Sequence, residues 1–108
     1  MRCWGTNDLG ELGNGSTISS SNPVSVLGIA DATRIATSYR HTCVVRSSGN
    51  VSCWGNNGQG QLGNGTTTNS STPVDVSGLT GASDVAAGVS FHCAVTAGLV
   101  RCWGSNDF

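Results

Sequence analysis

Apolar positions in this chain of 108 residues fall in short runs, not in long stripes. Four β-prone runs, 24–27, 33–37, 42–46 and 51–54, are separated by clusters of Gly, Ser, Asn and Asp at intervals of about ten residues. No window sustains apolar residues at i, i+3, i+4 and i+7 between capping residues. Sixteen glycines weigh further against long helices, since glycine loses more backbone freedom than any other residue when a helix forms. The pattern predicts an all-β chain of short strands.

The same order of runs returns at 74–76, 83–87, 92–96 and 99–103. Cys-Trp-Gly stands at Cys3-Trp4-Gly5, at Cys53-Trp54-Gly55 and at Cys102-Trp103-Gly104, with spacings of 50 and 49 residues. Between them, Gly-Glu-Leu-Gly-Asn-Gly at 10–15 matches Gly-Gln-Leu-Gly-Asn-Gly at 60–65, Pro23-Val24 matches Pro73-Val74, and Cys43 matches Cys93. The offset drops from 50 to 49 where Ser47-Ser48-Gly49 shortens to Ala97-Gly98. Self-similarity at this period marks units that bury a core only against their neighbours. The units are expected at 1–51, 52–101 and 102–108, the third being an opening fragment.

Four strands per unit with radial repetition describes a β-propeller blade. The expected architecture is therefore two tandem four-stranded antiparallel blades, a fragment of a larger propeller. Trp4, Trp54 and Trp103 recur at one place in the repeat, which predicts packing between blades in preference to a ligand-stacking cage. Gly13 and Gly63 are expected where the backbone needs positive φ, with Leu12 and Leu62 plugging inward.

Cys-Trp-Gly-x-Asn, Gly-x-Leu-Gly-Asn-Gly, Pro-Val-x-Val and the later Cys-Val-Val or Cys-Ala-Val together resemble the regulator of chromosome condensation repeat, in its cysteine-bearing bacterial form. The resemblance covers essentially the whole chain. It implies a segment of a propeller that is typically seven-bladed, with a non-enzymatic role. The founding member exchanges nucleotide on a small nuclear GTPase and binds chromatin. One departure concerns the His that most members carry two residues before the first hairpin Cys: His41 holds that place, but Phe91 holds it in the second unit and His92 stands one position on.

The cysteines test the register of the last two strands of each unit. A three-residue loop at 47–49 makes facing positions sum to 96, which sets Cys43 against Cys53. A two-residue loop at 97–98 makes them sum to 195, which sets Cys93 against Cys102. Opposed Cβ atoms lie about 4.5–5.5 Å apart, near disulfide range. Two readings stay open: cross-strand disulfides, which would favour an extracellular or surface location, or reduced thiols packed as small apolar groups between blades. Cys3 has no upstream strand to face, so it is expected unpaired in a chain that starts within a blade. The strand at 2–5 would then leave an open edge suited to self-association.

Charge narrows the partners. All five basic residues are Arg (Arg2, Arg34, Arg40, Arg46 and Arg101) and the net charge is −1, which makes no electrostatic case for a nucleic-acid backbone. No apolar run approaches the ~18 residues of a membrane span, and no leader pattern is present within these residues.

Several motifs invite chemistry and are better read as turns. Residues 58–63 fit G-x-G-x-x-G, but Asn64-Gly65 and three threonines follow where a helix is required. Asn7, Asp8, Glu11 and Asn14 form an oxygen-rich loop of the kind that binds calcium, yet the second unit replaces both carboxylates with Gly58 and Gln61. Four N-x-[ST] triplets, at Asn14, Asn50, Asn64 and Asn69, follow from turn composition. His41 and Cys43 share a strand face, whereas His92 and Cys93 point to opposite faces, so no nucleophile–base pair repeats. The cysteines lack Cys-x-x-Cys spacing. The expectation is no catalytic residues, no metal and no cofactor.

The function expected is a rigid protein-interaction scaffold. Its contacts would come from the loops at 16–22, 66–72, 29–32 and 80–82. A nucleotide-exchange or chromatin role as in the family's founder, and a secreted or surface module binding glycan or protein, are the alternatives.

Overall fold

The computed structural model describes residues 1–106; Asp107 and Phe108, the end of the expected third unit, lie outside the described residues. Among the described residues nine strands follow one another: β1 (Arg2–Gly5), β2 (Ser20–Ser25), β3 (Ala32–Ser38), β4 (His41–Arg46), β5 (Val51–Gly55), β6 (Ser70–Asp75), β7 (Ala82–Ala87), β8 (Phe91–Thr96) and β9 (Leu99–Gly104). All pairings are antiparallel between sequence neighbours, giving sheets β1-β2, β3-β4-β5-β6 and β7-β8-β9. Each meander stops where a β2- or β6-type strand ends, and the chain then crosses to open the next sheet. The expected unit boundary at 51/52 falls within β5, so sequence repeat and sheet are out of phase.

The hairpins hold the register that the loop lengths require. Cys43 faces Cys53 in β4-β5 and Cys93 faces Cys102 in β8-β9. Both pairs are disulfide-bonded, with Cα atoms 4.1 and 4.0 Å apart, and Cys3 carries a free thiol. The 97–98 turn places both Ala97 (φ 50°) and Gly98 (φ 79°) in the left-handed region, the requirement of a type I′ hairpin.

The outer strands differ from expectation. The run at 24–27 predicted a strand, but β2 occupies Ser20–Ser25 and β6 occupies Ser70–Asp75. Pairing with the strand that ends in Cys-Trp-Gly overrides weak intrinsic preference: Gly5 faces Ser20 and Gly55 faces Ser70. Pro23 and Pro73 are tolerated there because each strand is the outermost of its sheet. Val26 and Val76 leave the ladders yet stay buried.

The core lies between sheets. Cys43, Val45, Val51 and Cys53 from the second sheet meet Ala82, Val85 and Ala94 from the third, with Leu62, Val76 and Leu79 closing the cluster. A smaller cluster joins Val26 and Ile29 to Val44 and Trp54, flanked by Met1 and Cys3. Neither face of the second sheet could stay out of water without its neighbours, the property that repetition implied.

Candidate functional site

The long loops after β1 and β5 are organised by one buried side chain each. Asn7 accepts from the Leu12 amide at 2.8 Å and donates to the carbonyls of Ser16 (2.9 Å) and Ile18 (3.0 Å). Asn57 repeats this with Leu62 (2.9 Å), Thr66 (2.9 Å) and Thr68 (3.0 Å). Both are fully buried. Asn7 therefore satisfies its own loop's backbone, and its oxygen is not offered to a cation.

These loops dock onto the following sheet through the tryptophans. Trp54 Nε1 donates to the Glu11 carbonyl and Trp103 Nε1 to the Gln61 carbonyl, each at 2.8 Å. Gly13 and Gly63 lie against the two indoles at φ 66° and 65°; a Cβ on either would sit 2.8 Å from its tryptophan. Leu12 and Leu62 are buried beneath. Trp4 has no such loop against it and is 64% exposed.

The carboxylates of the first loop serve an ion cluster. Arg40, at φ 69° in the tight β3–β4 turn, donates through Nε to Glu11 Oε2 at 3.2 Å and through Nη2 to Asp8 Oδ1. The Arg40 guanidinium holds the Asp8 carboxyl below the usual range, and the two carboxylates raise the arginine's own pKa. In the second copy Gly58, Gln61 and Ser90 stand in place of Asp8, Glu11 and Arg40. Gln61 Oε1 still accepts the Gln59 amide at 2.7 Å, as Glu11 Oε1 accepts that of Leu9. The substitution thus keeps the loop clasp and discards the charge. Beside the cluster, Thr6, Ser38, Tyr39 and Thr42 line an open cleft, with Tyr39 68% exposed.

His41 and His92, which fall in different columns of the repeat, meet across the sheet interface with ring centroids 4.4 Å apart at 77°. The one-residue displacement of His92 relative to His41 is the sequence signal. A shift of one along a strand turns a side chain to the opposite sheet face, so His41 looks forward from the second sheet and His92 looks back from the third. Burial pushes both imidazoles down, His92 to about 4, where the neighbouring His41 adds to the effect. Cys43, the nucleophile that a pairing with His41 would need, is bound to Cys53. Among the described residues no group of three or more His, Cys, Asp or Glu side chains gathers as a metal site.

The expected contact loops are only partly loops. Residues 20–22 and 70–72 belong to β2 and β6, and Ile29 is buried. Exposed loop positions remain at 17–19, 66–69, Ala30, Thr80 and Gly81, and the unforeseen Tyr39-Arg40 turn adds an exposed Tyr39.

Comparison with known proteins places this arrangement. The profile "Regulator of chromosome condensation (RCC1) repeat" matches residues 3–45 and 48–95, and a second profile of that description matches 32–61. No curated protein sequence matches the chain. Among solved structures, human WBSCR16 superposes with a TM-score of 0.82 at 22% identity, over 97% of this chain and 29% of that one. Yeast RCC1 (Prp20), in a structure bound to Kap60, superposes with a TM-score of 0.77 at 18% identity, over 95% and 27%. Prp20p of Saccharomyces cerevisiae, in a structure described with its binding to Gsp1p and histones, gives 0.77 at 18%, over 95% and 28%. The chain thus spans less than a third of the length of these structures.

Proposed function

The chain belongs to the regulator of chromosome condensation repeat family, and from that premise we propose that it serves as a rigid, non-catalytic protein-interaction segment of a β-propeller. The observation that carries this reading is the contrast between frame and surface at the β3–β4 and β7–β8 turns. The strands on either side keep their register across the repeat, while Tyr39-Arg40 becomes Val89-Ser90. A frame that repeats beneath a turn that does not is how a scaffold carries recognition. An exposed Tyr beside a half-buried Arg and its neutralising carboxylates belongs to the side-chain types that dominate protein interfaces. Relatives that bind Kap60, or Gsp1p and histones, support protein binding as a class without identifying the partner.

The test is a photo-crosslinking residue at position 39 in the chain expressed in its own host, against the same residue at Ser48 at the opposite end of the strands. A protein adduct specific to position 39 is expected. Equal or absent adducts at the two positions would remove the reading.

The two disulfides favour a secreted or surface module over a nuclear exchange factor. Counting free thiols under denaturing conditions in chain recovered from an oxidising compartment should give one, that of Cys3. Five would reverse the preference.

A further inference from the structure

We propose that His41 and His92 form an acid-opened latch between the second and third sheets. His41 Nδ1 lies 3.1 Å from the Tyr39 carbonyl and His92 Nε2 lies 3.5 Å from the Ala36 carbonyl. A carbonyl only accepts, so each of these nitrogens carries the ring proton. That leaves His41 Nε2 and His92 Nδ1 as bare lone pairs, both buried and both without a partner. The tautomers are fixed by the backbone, and the one place where each ring can take a second proton is the place where nothing can receive it.

The surroundings offer such a charge no compensation. Trp103 lies nearly parallel to His92 with centroids 6.0 Å apart, and the His41 ring meets it in a T-shaped contact at 4.4 Å. Around His41, Glu11 and Asp8 are committed to Arg40, which would repel a second cation. On β4, Arg46 is paired with Asp31. On β3, Arg34 donates to its neighbour Thr33's carbonyl. On β7, Asp84 accepts from the Val85 amide, and on β6, Asp75 accepts from Ser52. Arg101 on β9 adds only positive charge. Among the described residues, the imidazoles' hydrogen-bond partners are backbone carbonyls, and no carboxylate pairs with either ring. A buried charge without a counter-charge is strongly unfavourable, and the cheapest relief is separation of the two sheets that hold the rings.

The sign follows from linkage. The folded chain binds protons at these rings less readily than the unfolded chain, so the stabilisation is complete above the ordinary histidine pKa of 6.5 and is lost as pH falls toward the folded value. With His92 at about 4, the unfolding constant should rise by about 20-fold between pH 7 and pH 5. The chain has two histidines in all, and both are in the latch.

Urea unfolding of the full chain at pH 7, 6 and 5, followed by tryptophan fluorescence, tests this against His92→Gln and His41→Gln/His92→Gln. A midpoint that falls with pH in the parent chain, falls less in His92→Gln and stays level in the double variant is expected. A level midpoint in the parent chain, or an equal fall in the double variant, would overturn the proposal. Should the variants not fold, ring-nitrogen NMR of the unaltered chain decides it. An imidazole of His92 still neutral at pH 5 supports the latch, and one already charged at pH 6 in the folded chain refutes it.

Discussion

Every side-chain hydrogen bond of Asn57 stays within its own loop, yet that loop carries Leu62 into the core and the Gln61 carbonyl to Trp103. Replacing Asn57 by Ala strips partners from one buried amide and two carbonyls, each costing about 1–3 kcal/mol when left unmet. With partial relaxation, Asn57→Ala should destabilise by about 3 kcal/mol, read as a lower urea midpoint at constant slope. Its counterpart Asn7 was legible in the sequence as turn chemistry, or as a ligand oxygen, but neither asparagine was legible as its loop's centre. Its partners are backbone groups 5 to 11 residues away, and composition does not register them. Asp8 and Glu11 were hidden for a related reason: their cation is Arg40, in a turn 29 to 32 residues along the chain.

At the scale of the element, hairpins were the most readable part. Loop length and alternation alone set Cys43 opposite Cys53 and Cys93 opposite Cys102, because both are local and each fixes the other. The deletion that shortens the second loop leaves Ala97 at φ 50°, where a Cβ is unfavourable by roughly 1–2 kcal/mol. Ala97→Asn restores the Asn-Gly preference of this turn, and a gain of about 0.5–1 kcal/mol in unfolding free energy is the expected result. The outer strands were misplaced because β2 and β6 are rich in Ser, Thr and Asn. Their strand character is lent by the neighbour with which they pair, and no window of their own sequence holds it.

Across the whole molecule, equivalent residues differ by what covers them. Val45 and Val51 are at most 2% exposed under the third sheet, while their counterparts Val95 and Val100 stand 37% and 68% exposed. The two disulfides share this asymmetry: Cys43 and Cys53 are sealed, whereas Cys102 is exposed. Titration with a water-soluble phosphine, quenched by alkylation and mapped by mass spectrometry, should therefore open Cys93–Cys102 well before Cys43–Cys53. Simultaneous opening would mean that the sheets separate as readily as the exposed bond is reached. The stagger between repeat and sheet has a mechanical consequence. Each sheet's last strand continues directly into the next sheet, so tension along the chain would peel strands in an order set by the sheets. Extension should then proceed in steps matched to sheets, not to the fifty-residue period. Within each step, the segments clasped by the disulfides, 43–53 and 93–102, would contribute no length until the sulfurs part.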